Sequence, residues 1–193
     1  MTLKQRAQVI DSKALVAQRL KRLPSIMAKL KREPTMKLTQ MNDIGGCRAV
    51  LSSIRNVERL IAVFDRARAK NPTRGHTNTS RKDYISSPKL DGYRGVHLIY
   101  KYRSTSAKHQ AFNNQKIEVQ LRTRLQHAWA TAVEIVDAFT GQALKSGLKL
   151  NSGDPKWRRF FALMSSVIAI REKNLSFREP QQVSKNSKLS LGS

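Results

Sequence analysis

Cysteine is almost missing from this chain: Cys47 is the only one among 193 residues. A disulfide framework and a multi-cysteine zinc site are both excluded. Acidic side chains are scarce as well, 13 Asp and Glu against 37 Lys and Arg, which leaves a formal net charge of +24. So large an excess calls for an anionic partner: a nucleotide, a nucleic acid or a membrane surface. No apolar run reaches the ~18 residues of a spanning helix. The opening stretch MTLKQRAQVID lacks the apolar segment of a signal peptide. A cytoplasmic protein with no membrane partner is therefore expected. There is no internal repeat, no His, Asp and Glu set at zinc-site spacing, and no legible nucleophile–base pair. GHTNTSRK (75–82) lacks the G-x-x-x-x-G-K spacing of a phosphate loop.

What is present is a chain with 39% hydrophobic residues, enough to bury a core and to exclude wholesale disorder. One domain is expected over 1–173, with 174–193 as a flexible tail. SKALVAQRLKRLPSIMAKLKRE (12–33) reads as helical, with Pro24 starting a new segment or kinking the first. IGGCRAVLSS (44–53) reads as a buried strand, VERLIAVFDRARAK (57–70) as an amphipathic helix, and NPTRGHTNTSRK (71–82) as a loop. VHLIYKYR (96–103) and KIEVQLRT (116–123) read as strands joined by a polar connection. RLQHAWATAVEIVDAF (124–139) reads as a helix with Leu125, Ala128, Trp129, Ala132, Val133 and Val136 on one stripe. Asp154 and Pro155 suit the start of a last helix over 156–173. Interleaved helices and strands of this order predict an α/β or α+β sandwich around a small sheet.

With so few acids, each can be weighed by position. In KIEVQLRT, Ile117, Val119 and Leu121 point one way and Glu118, Gln120 and Arg122 the other. Asp43 ends a polar segment where a carboxylate can reach the rim of the sheet. Each has an ordinary reading, Glu118 on a half-exposed strand and Asp43 in a turn. Together in a cationic cleft they can hold Mg²⁺ and activate a hydroxyl while the cations hold phosphates. Arg19, Lys21, Lys29 and Arg32 are either a solvated helix face or phosphate ligands. In PKLDGYRGVH (88–97), Tyr93 stands between two glycines with Lys89, Arg94 and His97 close by. A hairpin turn needs none of these, whereas a glycine-flanked aromatic can offer its face to a base. His127 and Glu134 lie off their helix's apolar stripe and can face the same cleft. Cys47 reads as a small core residue.

The ordered segments RLKRLPSIMAKL, NDIGGCRAV, RKDYISSPKLDGYRGVHL and KIEVQLRTRLQHAWA together resemble the synthetase domain of the RelA/SpoT family, from Arg19 to Trp129 and more weakly to Arg171. The resemblance implies an α+β, nucleotidyltransferase-like fold, a mixed sheet of about five strands flanked by helices. It implies an alarmone synthetase that moves pyrophosphate from ATP to a ribose 3′-hydroxyl, with GDP or GTP as acceptor. Asp43 then looks like the Mg²⁺ ligand and Glu118 like the second acid, as metal ligand or general base. Arg19 and Arg48 match the pair that sandwiches adenine, and Lys21, Lys29 and Arg32 the ATP phosphate contacts. Lys82 and Lys89 fall where the acceptor's phosphates or backbone are held. Tyr93 matches the tyrosine that stacks on the acceptor base, with His97 and Gln120 beside it. Only 18 residues precede Arg19 and no His-Asp dipeptide occurs, so no hydrolase activity is expected. FTGQALK and WRRFFALMSS look more like the toxic small alarmone synthetases, some of which modify the 3′ end of tRNA. A basic nucleic-acid binder without catalysis is the third reading; Asp43 and Glu118, which repel phosphates, weigh against it.

Overall fold

Two segments rich in apolar residues, β2 (Gly45–Leu51) and β5 (Lys116–Thr123), pair in parallel at the centre of the sheet. The computed structural model describes residues 2–70, 76–141 and 154–172. β1 (Leu15–Leu20) adds to the free edge of β2, and β4 (Val96–Lys101) and β3 (Thr77–Asp83) extend the other side, all antiparallel. The expected mixed sheet of five strands is therefore present, in the order β1-β2-β5-β4-β3. A parallel pair needs a crossover; here the chain between β2 and β5 includes α3 (Ile54–Lys70).

One face of the sheet is the core. Ala49, Leu51, Val96, Leu98, Val119 and Leu121 pack against Val57, Leu60 and Ile61 of α3 and Ala7 of α1 (Leu3–Ile10). Buried Asp11 ties these layers together by accepting from the Ser52 backbone N–H at 2.7 Å and from Asn56 Nδ2 at 3.4 Å. The other face carries polar side chains. Beside it lie α5 (Arg124–Thr140) and α6 (Pro155–Arg171), sharing a second cluster of Trp129, Ala130, Val133 and Phe161.

Three expectations change. The helix over 12–33 divides into β1 and α2 (Leu23–Arg32), because pairing with β2 takes the first half as an edge strand. Its apolar residues never formed a buried stripe: Leu15 and Leu20 are exposed. Pro24 starts α2, where a missing N–H costs nothing. The loop over 71–82 yields β3 from Thr77, a strand without apolar residues that is held by β4. On α5 the buried stripe is Gln126, Trp129, Ala130 and Val133, while Ala128 and Ala132 face outward. The last helix does begin at an Asp154 cap with Pro155 in its first turn. A short α4 (Ala107–Gln110) lies in the polar connection. The expected tail, 174–193, lies outside the described residues.

Candidate active site

Strand alternation and register decide which side chains share the polar face. Arg48 on β2, Gln120 on β5, His97 on β4 and Lys82 on β3 are successive partners, a single row across four strands. One step along, Arg19 of β1 opposes Gly46 of β2, which opposes Glu118 of β5. Arg19, Asp43, the 45–48 segment, Glu118 and Gln120 line a shallow open cleft. Gly46 makes this spacing possible, since a Cβ there would overlap the backbone oxygen of Glu118. Cys47 is half-buried on the lining and is not a core residue; burial raises its thiol and keeps it protonated.

Asp43 sits in the turn before β2. Lys21 Nζ donates to its Oδ2 at 2.6 Å, and Lys29 Nζ lies 3.4 Å from Oδ1. Burial opposes charge on this carboxyl, but the two ammonium groups outweigh it and hold it below its ordinary value. Arg32, one turn from Lys29 on α2, lies 3.7 Å from Glu33 instead.

Glu118 is held differently, by a closed ring of hydrogen bonds. Arg122 Nη2 and Nε donate to the Tyr93 hydroxyl oxygen at 2.7 and 3.1 Å. The hydroxyl lies 2.5 Å from His97 Nε2, and His97 Nδ1 lies 2.7 Å from Glu118 Oε1. Gln120 Nε2 donates to Glu118 Oε2 at 2.7 Å, and its Oε1 accepts from Arg122 Nη2 at 3.0 Å and Arg48 Nε at 3.3 Å. The direction that satisfies every atom has Tyr93 donating to His97 and His97 donating to Glu118, which fixes the tautomer. Burial penalises the charge on Glu118, yet His97 and Gln120 bring the net shift below the ordinary value. Burial raises the Tyr93 hydroxyl despite Arg122 beside it, so it keeps the proton it donates.

The loop that carries Tyr93 is anchored from α6. The Ser165 hydroxyl donates to the Gly92 carbonyl, and buried Arg94 donates to Ser165 Oγ at 3.2 Å and to the Ile85 carbonyl at 3.2 Å. Gly92, at φ +86°, approaches so closely that a Cβ would meet Ser165. The glycines thus do not expose the ring. They fold the loop so that Tyr93 is half-buried against Tyr84, His97 and Trp129. Lys89 Nζ caps both tyrosines, 4.5 Å from the Tyr84 ring centre and 4.8 Å from that of Tyr93.

The structure therefore brings together Arg19, Lys21, Lys29, Asp43, Arg48, Lys82, Lys89, Tyr93, His97, Glu118 and Gln120, and leaves Arg32 aside. His127 stands at the cleft margin; burial and the nearby Arg48 and Arg122 lower its pKa, and its Nδ1 is buried without a partner. Arg122, placed by the sequence on the Glu118 face but given no role, and Tyr84, for which the sequence offers no reading, complete the site. Arg122 had a signal: it alternates with Glu118 and Gln120 on β5. Among the described residues no group of three His, Cys, Asp or Glu is arranged to hold an ion. The two carboxylates suit a cation that takes its other ligands from water and phosphate, as Mg²⁺ does.

Comparison with known proteins agrees with this architecture. A curated relative, GTP pyrophosphokinase YjbM of Bacillus subtilis (strain 168), is 29% identical over 122 residues, 60% of this chain. The match covers 52% of YjbM, so this chain spans about half the length of that relative. Among solved structures, small alarmone synthetase 1 of Bacillus subtilis bound to its product pppGpp superposes with a TM-score of 0.65 at 21% identity, covering 84% of this chain and 75% of that one. The smu.1046c protein of Streptococcus mutans UA159 gives 0.64 at 23% identity, covering 88% and 80%. At these identities the structures speak for the fold alone. The family described as "Region found in RelA / SpoT proteins" matches residues 18–136. That match contains every candidate residue of the cleft, from Arg19 to Arg122: the chain belongs to the RelA/SpoT family.

Proposed function

We propose that the chain is an ATP-dependent pyrophosphokinase that transfers the β,γ-pyrophosphate of ATP to the 3′-hydroxyl of a guanine nucleotide, GDP or GTP, giving a (p)ppGpp-type product. The observation that carries this reading is the meeting of two carboxylates with Arg19, Arg48, Lys21 and Lys29 around one cleft. The relatives' names, a GTP pyrophosphokinase and a synthetase bound to pppGpp, support the nucleotide class.

In this reading Arg19 and Arg48, on neighbouring strands, hold adenine, and Lys21 and Lys29 hold the triphosphate; Arg32 joins them only by leaving Glu33. Asp43, with Glu118 near it, holds Mg²⁺, which supplies neutralising charge to the polyphosphate. Lys82 and Lys89 take the acceptor phosphates, and Lys89 leaves the Tyr93 ring face as the base arrives. The acceptor oxygen bonds to the β-phosphorus, the bond to the oxygen bridging the α-phosphate breaks, and AMP departs. Glu118 takes the hydroxyl proton. A carboxylate held below its ordinary pKa is a weak base, which suits a loose phosphoryl transition state in which that proton leaves late.

One observation favours a second acceptor, the 3′ end of tRNA: the charge of +24 exceeds what two or three phosphates require. The deciding experiment supplies ATP labelled at the γ-phosphate together with GDP, GTP, ATP or deacylated tRNA. Label on GDP or GTP supports the nucleotide reading. Label on the tRNA 3′ end, with GDP and GTP unlabelled and a steep salt dependence of roughly 0.7–0.9 per neutralised phosphate, replaces it. Label on none of them rejects both acceptors.

A further inference from the structure

Among the described residues, the outward face of α6 takes no part in the site or the core. Inward, Phe161, Ser165 and Ala169 are buried, and Trp157 and Ile168 pack beside them. Outward, Phe160, Leu163, Met164, Val167 and Ile170 are 49%, 46%, 39%, 55% and 66% exposed. Their spacing of three and four residues sets them on one stripe. A helix apolar on two sides is normally enclosed on both. A continuous exposed stripe of five large side chains is an interaction surface, unlike the scattered apolar residues of an ordinary exterior.

Charge decides what covers it. Lys156 and Arg159 stand at one end of the stripe and Arg171 at the other; the only acids are at the two caps and are already engaged, Asp154 by the Lys156 N–H and Glu172 by Thr123 and Gln126. A second copy of the chain brings the same cations. Antiparallel packing sets Lys156 and Arg159 against Arg171, parallel packing sets each against itself, and the net charge of +24 opposes both. The chain's own segments outside the described residues bring more cations than acids. Residues 142–153 add Lys145 and Lys149 with no acid, and 174–193 add Arg178, Lys185 and Lys188 against Glu179 alone. Nucleic acid satisfies the cations and gives the five apolar side chains no role. A bilayer also fits poorly: on the helical wheel Lys156 and Arg171 fall within the arc of the stripe, so embedding it carries both cations down.

We propose that the outward face of α6 docks an acidic protein partner, one that presents an apolar ridge with carboxylates beyond each end. The ridge supplies the anchors and the carboxylates the orientation. The inward side of the same helix holds the Tyr93 loop through Ser165, which puts the partner one helix thickness from the candidate site.

The test uses the full chain and two labelled peptides of about 18 residues, roughly the length of α6. One carries a leucine stripe with glutamates at both ends. The other has the same composition with its leucines spread around the helix. Binding is read by fluorescence anisotropy at physiological salt. The striped peptide is expected to bind at least about tenfold tighter than its isomer. Leu163→Ser with Val167→Ser should remove that preference, and Lys156→Glu with Arg171→Glu should weaken the striped peptide. A thermal melt matching the parent's shows that the serine variant is folded, and Val167→Thr gives a milder second reading. Equal binding of the two peptides overturns the proposal, as does a preference that survives the serine substitutions. So does a dimer that these substitutions dissociate, or anionic vesicles whose binding they abolish while no peptide preference is seen.

Discussion

At the α2 end of the cleft Asp43 is held by two lysines, at 2.6 and 3.4 Å. At the Tyr93 end Glu118 is held by an imidazole and an amide, both at 2.7 Å. The surroundings differ more than the distances. α2 has no buried residue and β1 is mostly exposed, so the elements that carry Lys29 and precede Lys21 are thinly packed even though the two side chains are themselves largely covered. Glu118 belongs to a closed ring whose members sit on β5, on β4 beside it, and on a loop pinned by α6. A lysine ammonium on its flexible stem can swing from carboxylate to phosphate and keep an anionic partner. Hydrogen bonds locked in a ring are preorganised and do not rearrange freely. The first end is built to exchange partners and the second to hold one geometry.

The comparison breaks most decisively at the acids themselves. Glu118→Gln and Asp43→Asn are each expected to lower turnover by at least ~10² with the fold intact. Near-normal turnover of either, at fixed Mg²⁺, removes the site. Next comes the spacing that both ends share. Gly46→Ala should lower stability by about 1–3 kcal/mol, because the new Cβ forces β2 away from Glu118; a melting temperature within a degree or so of the parent's would contradict this.

A third pair of variants separates the ends. Tyr93→Phe opens the ring and should cost about 1–2 kcal/mol in kcat/KM, carried by the acceptor. Lys21→Ala should instead raise the KM for ATP. If the two KM effects swap, the ends are reversed. The smallest effect is on acid stability. Glu118 has a folded-state pKa below its unfolded one. Its contribution is therefore present above the ordinary carboxylate range, ~4.3, and is lost as pH falls through the lower folded value. The parent's melting temperature should drop more steeply than that of Glu118→Gln as pH is lowered below that range, and parallel curves would show that Glu118 contributes nothing there.

How much of this the sequence discloses depends on where the information lies. β5 is legible to its ends because its alternation is strong, and that alternation alone puts Glu118, Gln120 and Arg122 on one face. The row from Arg48 to Lys82 is not legible, because register is set by pairing between strands far apart in the chain. β3, with the sequence TNTSRKD, has no apolar signal at all. β1 is six residues long, too short for its apolar spacing to tell strand from helix, and only β2 decides. α1 had a readable start in the Thr2 and Gln5 capping box. The glycines around Tyr93 mark a special loop, but whether they bare the ring or bury it depends on Ser165, more than 70 residues later.

That separation bears on the order in which the site is assembled. Domains assemble from the N-terminus as they are synthesised, and contacts distant in sequence form late. All five strands are available once Thr123 has been made. The Gly92 carbonyl receives its hydroxyl, and Arg94 its Ser165 acceptor, only after the last helix has emerged and docked. A nascent chain can therefore own a finished sheet and still lack a settled Tyr93 loop, so the geometry around Glu118 settles later than the strands that carry it.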